Sequence, residues 1–250
     1  MKFHSDKLSQ FKTIQLKDMD LVKLLNRKDT KFAFHYSRLG YLLERLLSTY
    51  QLLQVNDVNT FTYQNTYFDT DDNLFYNQHH NEKRNRYKVR LRQYSGTDDC
   101  YFEIKTKNNK NRTIKKRLKV ETNTENLGGN ERMMIEDVIN IPPQLLSPKL
   151  KVNFTRLTFV DKHHKERLTI DTNLSVKNGV TSKLFDQLII AEIKQNKYKA
   201  NSEFIQIMRD MKIPEMRFSK YCMGMLHVNN DIKYNRFKPK LLYINKLLQS

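Results

Sequence analysis

The chain has 250 residues, of which 38% are hydrophobic, with 14 Phe and 13 Tyr; that is enough for a packed core and argues against wholesale disorder. Lys and Arg number 45 against 27 Asp and Glu, a net charge of +18, which repels itself in a compact state and points to polyanionic partners: nucleic acid, anionic lipid, nucleotides or inorganic polyphosphate. Two cysteines, Cys100 and Cys222, argue against a disulfide framework or a multi-cysteine zinc site, and neither a membrane-length apolar run nor a secretory signal is visible, so no transmembrane segment and a cytoplasmic setting are expected.

"DMDLVKLLNR" (18–27) predicts a short helix with Met19, Val22 and Leu25, and Leu21 and Leu24, on one side. "RKDTKFAFH" (27–35) predicts a strand whose Arg27, Asp29 and Lys31 share a face. "SRLGYLLERLLSTYQLL" (37–53) predicts a longer helix with a stripe of Leu39, Leu42, Leu43, Leu46 and Leu47 and with Ser37 as N-cap. From about 60 to 195 the period is mostly two. "FTYQNTYFDT" (61–70) is strand-like and ends in a turn. "RYKVRLRQY" (86–94) sets Arg86, Lys88, Arg90 and Arg92 against Tyr87, Val89 and Leu91. "YFEIKTK" (101–107) puts Tyr101, Glu103, Lys105 and Lys107 opposite Phe102 and Ile104, and "TIKKRLKVE" (113–121) puts Lys115, Arg117 and Lys119 opposite Ile114, Leu118 and Val120.

Residues 128–146 predict a helix closed by a Pro pair. Strands follow at 151–160 with Arg156, at 165–171 with Arg167 and Asp171, and at 188–194 with Glu192 and Lys194. Helices are expected from Ser202 to Lys212, from Ser219 to Val228 and over about 239–249. The terminal Leu stripes read as packing. His79–His80 and His163–His164 fall in polar loops, where adjacent side chains point apart, and read as surface residues. No G-x-x-x-x-G-K-[ST] loop and no Ser/His/Asp or Cys/His arrangement stands out.

The class is α+β: an antiparallel sheet with helices added at the ends. A flat sheet would leave its basic face open, to water or to a nucleic acid. A sheet closed into a barrel would turn that face into a lumen. Like charges two residues apart on a strand lie about 6.5–7 Å apart and repel by roughly 2–2.5 kcal/mol at an effective dielectric near 20. The candidate internal acids, Asp29, Glu103, Asp171 and Glu192, are too few to balance ten or more such cations. Bound anions or water must supply the rest; a triphosphate or a thin polyphosphate chain fits a lumen and a duplex does not.

The same residues resemble a known family. "LLNRKDTKFAFH", "YFDTDD", "VRLRQY", "FEIKTK", "IKKRL", "FTRLTF", "RLTIDTNL", "AEIK" and "RFSKYCMG" are similar, in that order, to segments of the polyphosphate-polymerase (VTC) domain of the triphosphate tunnel metalloenzymes, in its bacterial stand-alone form. The resemblance runs over about residues 20–225 of an expected single domain of 1–250. It implies an antiparallel tunnel barrel and transfer of the γ-phosphate of ATP to a growing polyphosphate chain. Arg90, Arg92, Lys105, Lys115, Arg156 and Arg167 would be the catalytic set, neutralising charge on the transferred group. Lys31, Lys88, Arg117, Lys194, Arg217, Ser219 and Lys220 would bind phosphate or nucleotide. Mn²⁺ or Mg²⁺ would be held chiefly by Glu192, with Glu103 a weaker candidate that reads better as structural. ATP and inorganic polyphosphate are the partners implied; no nucleic acid is expected and no protein partner is identifiable. Residues 27–31 read R-K-D-T-K in place of the Glu-x-Glu-x-Lys of the triphosphatase branch, which removes two metal carboxylates. The alternatives are an inorganic triphosphatase or nucleotide phosphohydrolase on the same fold, or a non-catalytic binder of polyphosphate or RNA.

Overall fold

The computed structural model of the protein describes residues 4–22, 28–95, 99–110, 112–121, 126–163 and 165–249. Leu24, Leu25 and Arg27, from the helix expected over 18–27 and the start of the next strand, lie outside these residues, as does His164. Leu16–Val22 forms a 3-10 helix.

In chain order, α1 (Ser5–Leu8) and β1 (Thr13–Gln15) precede β2 (Lys28–His35), α2 (Leu39–Leu46) and β3 (Tyr50–Gln54). Next come β4 (Phe61–Asp69), α3 (Leu74–His80), β5 (Arg86–Tyr94), β6 (Cys100–Lys107) and β7 (Thr113–Val120). Then follow α4 (Gly129–Ile139), β8 (Ser147–Asp161), β9 (Glu166–Lys177), β10 (Ser182–Phe185) and β11 (Leu188–Gln195). The chain closes with α5 (Glu203–Asp210), α6 (Lys220–Val228) and α7 (Lys238–Gln249).

Among the described residues, eleven strands make one sheet, with β2-β11-β9-β8-β4-β5-β6-β7 as its main path. Every pairing along that path is antiparallel. The end strands β2 and β7 are not hydrogen-bonded to each other, so the tunnel is an incompletely closed barrel. Both ends nevertheless line one cavity, which shows that the sheet curls round on itself. On the β2 side the free edge is covered by residues 215–216. Glu215 bridges to Phe32, and the Met216 N–H donates to the Lys31 carbonyl at 2.8 Å.

The alternation decides which face is which. On the convex side, Leu157, Phe159, Leu168, Ile170, Ile189 and Ile193 pack under α2 and α5. Val89, Leu91, Phe102 and Ile104 pack under Ile135 and Ile139 of α4. Each such side chain contributes about 1.5–3 kcal/mol on full burial, which holds the polar partners of the alternation on the concave side. One end of the concave face is filled by α6, whose Tyr221, Cys222 and Met225 meet Leu150, Val152, Leu174 and Val176. A Cβ on Gly224 of α6 would stand 2.7 Å from Leu150 Cδ2 and 3.0 Å from Val176 Cγ1, so this close approach needs glycine.

Several local expectations change. The helix expected over 37–53 ends at Leu46, because Tyr50–Gln54 finds open backbone partners on β8 and β1. Ser37 does not cap it; a 3-10 turn over Tyr36–Arg38 comes first, and His35 Nδ1 accepts the Ser37 N–H at 3.3 Å. The helix over 128–146 stops at Ile139, where Asn140 adopts a left-handed φ of 58° ahead of the prolines. The stretch after β4, whose sequence predicts a turn and a polar loop, holds α3 instead. Asp69 accepts the N–H groups of Phe75 at 2.8 Å and Tyr76 at 2.9 Å, and Thr70 Oγ1 accepts that of Leu74 at 2.9 Å. His79 and His80 therefore lie on a helix, and His80 is 5% exposed, so the surface reading of this pair does not hold.

Candidate functional site

Antiparallel register lines the charges of β5, β6 and β7 up in rows across the concave face. Arg86 faces Lys107; Lys88, Lys105 and Lys115 form the next row; Arg90, Glu103 and Arg117 the next; Arg92, Tyr101 and Lys119 the last. Like charges directly opposite each other destabilise a sheet, so a row of three lysines needs an opposing charge from elsewhere. On the other wall, Lys31 of β2 lies across from Glu192 of β11, and Lys194 lies between Asp29 and Arg167.

All four acids expected inside are on this face, and each holds cations. Glu103, fully buried, accepts Arg90 Nε at 2.8 Å and Nη2 at 2.5 Å on Oε2, and Lys115 Nζ at 2.8 Å on Oε1. Burial alone would raise its pKa, but Arg90, Arg92 and Lys115 outweigh it and hold the carboxyl well below the usual range. Asp171 accepts Arg156 Nε at 2.5 Å and Nη2 at 2.8 Å, and also Lys220 Nζ. There too the cations overcome burial and keep the acid ionised. Glu192 is paired with Lys31 at 3.4 Å and with Lys194, and Lys194 also lies 3.6 Å from Asp29.

The cations left over define where an anion is wanted. Neither Lys88 nor Lys105 makes an ion pair among the described residues. The Arg90 charge, followed by burial and Arg92, holds the Lys105 ammonium well below its ordinary pKa. Burial lowers the pKa of Lys88 and Lys31 as well. Arg92 donates to Asn65 Oδ1 at 3.0 Å and lies 5.2 Å from the Tyr63 ring, and Arg117 sits 3.5 Å over Tyr101. Tyr67 accepts Arg90 Nη1 at 3.1 Å; burial works to raise its phenol, but Arg90, Arg92 and Lys88 lower it on balance.

A cavity of about 650 Å³ opens onto this face. Of the residues expected at the site, it brings together Lys31, Lys88, Lys105, Arg217 and Ser219. Ser219 is the N-cap of α6 and accepts the Cys222 N–H at 3.3 Å. Arg90, Arg92, Arg156 and Lys220 lie in the wall beyond it, each engaged as described. Lys115 and Arg117, on the edge strand β7, are largely exposed, and Arg167 is half-buried opposite Lys194. Burial pushes Lys220 down to about 8, against the pull of Asp171.

Sequence reading left out the aromatic and amide groups among the cations, Tyr63, Asn65 and Tyr67. The alternation in β4 puts them on the right face, but nothing in their chemistry marks them as site residues. His79 was also missed. It lines the cavity, shares a 2.9 Å hydrogen bond with the Tyr87 carbonyl, and is held neutral by burial and by Lys88, Arg86 and Lys107.

A divalent ion has limited protein ligands here. No group of three or more His, Cys, Asp or Glu side chains that could hold a metal occurs among the described residues. Glu192 offers the hard carboxylate oxygen such an ion takes, and the two lysines on it are ones an incoming phosphate would attract away. The residues fit an ion that draws most of its ligands from phosphate and water. No helix of the described residues is long and apolar enough to cross a membrane.

Among solved structures, the fold is similar to a putative adenylyl cyclase from Hippeastrum described as having a dominant triphosphatase activity. The TM-score is 0.53 at 11% identity, with 82% of this chain and 98% of that one covered. The PH1819 protein of Pyrococcus horikoshii OT3 gives a TM-score of 0.44 at 11% identity, covering 78% of this chain and 95% of that one. The PH1012 protein of the same organism gives 0.42 at 9%, covering 81% and 100%. No curated protein matches the chain. Residues 26–229 match the VTC domain, a span that holds every strand of the sheet except β1 and all the lumen charges described above. The chain belongs to the VTC domain family and carries the triphosphate tunnel fold.

Proposed function

We propose that the protein is a divalent-metal-dependent polyphosphate polymerase that transfers the γ-phosphate of ATP to the end of a polyphosphate chain inside the tunnel. The observation that carries this reading is the row of Lys88 and Lys105, facing the cavity beside Arg90 with no ion-paired carboxylate among the described residues. Water would serve such a surface if it were open. Enclosed, the row is stabilised by a ligand with several negative charges in line.

In the reaction, a terminal oxygen of the chain attacks the γ-phosphorus, the bond from that phosphorus to the β,γ-bridging oxygen breaks, and ADP leaves. Arg90, Arg92, Lys105, Lys115, Arg156 and Arg167 would neutralise the charge that spreads over the transferred group. Lys31, Lys88, Lys194, Arg117, Arg217, Ser219 and Lys220 would hold the phosphates on either side in line. Mn²⁺ or Mg²⁺, held by Glu192 and phosphate oxygens, would add Lewis-acid neutralisation. Glu103 and Asp171 keep arginines and lysines ionised and oriented.

Incubation of the pure protein with ATP and Mn²⁺ is expected to yield polyphosphate and ADP. Arg90→Ala and Glu192→Ala should fold and give no product. Substantial polymer from both variants would sink the assignment. Orthophosphate release from tripolyphosphate without chain growth would make the protein a triphosphatase, and metal-independent binding without turnover would make it a binder.

A further inference from the structure

The matched family region ends at residue 229, yet the cavity does not. Lys240, on α7, lines it together with Arg86, Lys107 and Arg217. The C-terminal segment is pinned in place. The Tyr76 hydroxyl donates to the Lys233 carbonyl at 2.6 Å, and Arg236 donates through its N–H to His80 Nε2 at 3.4 Å and through Nη1 to the Asn81 carbonyl at 3.2 Å. Phe237 packs edge-on against Tyr76 and His80. On the other side the Tyr243 hydroxyl donates to the Ala33 carbonyl at 3.1 Å. Lys240 Nζ then lies 5.2 Å from the Phe237 ring.

Eight lysines and arginines line this cavity against the carboxylates of Asp29, Glu82 and Glu215. Burial, Arg86 and Arg217 hold the Lys107 ammonium below its usual pKa, with the Glu82 carboxylate opposing. At Lys240, burial and Arg217 act against Cys222 and Glu82. Lys107 follows Lys105 on the same face of β6, about 6.5–7 Å further along the strand. The basic row therefore continues out of the lumen toward the C-terminal helix.

We propose that Arg86, Lys107 and Lys240, continuing outward from the phosphate-holding Arg217, form a polyphosphate subsite at the tunnel mouth, which holds the chain beyond the phosphates that react. The proposal rests on the lumen being a phosphate path. A triphosphate held in the lumen leaves this subsite empty, whereas a long chain occupies it.

The test compares tripolyphosphate with long-chain polyphosphate by calorimetric titration at fixed salt. The double variant Lys107→Ala/Lys240→Ala is expected to bind the long chain at least about tenfold more weakly, as two lost charge-assisted contacts imply, and tripolyphosphate within about twofold of wild type. Glu82→Gln, which removes the opposing carboxylate, should tighten long-chain binding. An unchanged long-chain affinity in both variants overturns the subsite, and so does an equal loss for both ligands. Single-stranded RNA outcompeting the long chain overturns polyphosphate as its occupant. Wild-type protein that binds neither phosphate ligand overturns the reading of the lumen itself.

Discussion

Replacing Glu103 by Gln tests whether internal carboxylates hold this lumen together. The substitution keeps the shape and leaves a carbonyl for Arg90, but removes the charge that both Arg90 and Lys115 use. Glu103 is fully buried, and breaking a buried pair by removing one partner costs about 3–5 kcal/mol. In a chain of this size each kcal/mol moves Tm by about 2–4 °C, so a fall of about 6–20 °C is expected in thermal unfolding without ligand. Tripolyphosphate at 100 times its Kd stabilises wild type by about 2.7 kcal/mol. It should raise Tm further in the variant, because it supplies the charge Arg90 has lost. The pH dependence has a definite sign. The folded-state pKa of Glu103 is depressed, so its contribution is complete above the ordinary value of 4.5 and fades as pH falls below it. The difference between wild type and variant should narrow in acid. A Tm within about 2 °C of wild type, or an equal ligand-induced rise in both proteins, would refute the argument.

Lys105→Met removes a charge that Arg90 and burial already disfavour. It should raise ligand-free Tm by about 2–8 °C, for a gain of about 1–2 kcal/mol, and weaken tripolyphosphate binding by about tenfold or more. A fall in Tm would contradict the repulsion inferred for that row. Lys220 titrates near 8, so its charge is present below that pH and lost above it. Tripolyphosphate affinity should decline as pH rises through about 8, and Lys220→Arg should remove that step from a pH series of binding measurements. Gly224→Ala places a methyl against Leu150 and Val176 and should lower stability by about 1–3 kcal/mol in denaturant unfolding.

The alternation of cations and apolar residues in β5, β6 and β7 was enough to place those strands and to say which side chains share a face. Periodicity is local: a strand turns successive side chains to opposite sides whatever it pairs with. The same logic picked out Asp29, Glu103, Asp171 and Glu192 as the internal acids. Which acid meets which cation is not local. Glu103 holds Arg90 and Lys115 because β6 lies between β5 and β7; Asp171 holds Arg156 because β8 pairs with β9, and Lys220 because α6 packs into the concave face. Residues 50–54 are helical by their neighbours' pattern and become a strand because β8 offers them hydrogen bonds. α3 escapes a periodicity reading because it spans only Leu74–His80, and its N-terminus is held by Asp69 from the end of the preceding strand.

The sequence by itself thus determined the polarity of the two faces and the excess of positive charge on one of them, both set by residue order along single strands. Only the tertiary structure decided that this face curls into a cavity. It also decided that Lys88 and Lys105 make no ion pair among the described residues, and that Lys240 from the last helix reaches the cavity. Those outcomes depend on contacts between residues far apart in the chain, which come together only when the sheet bends round α6 and buries its apolar side.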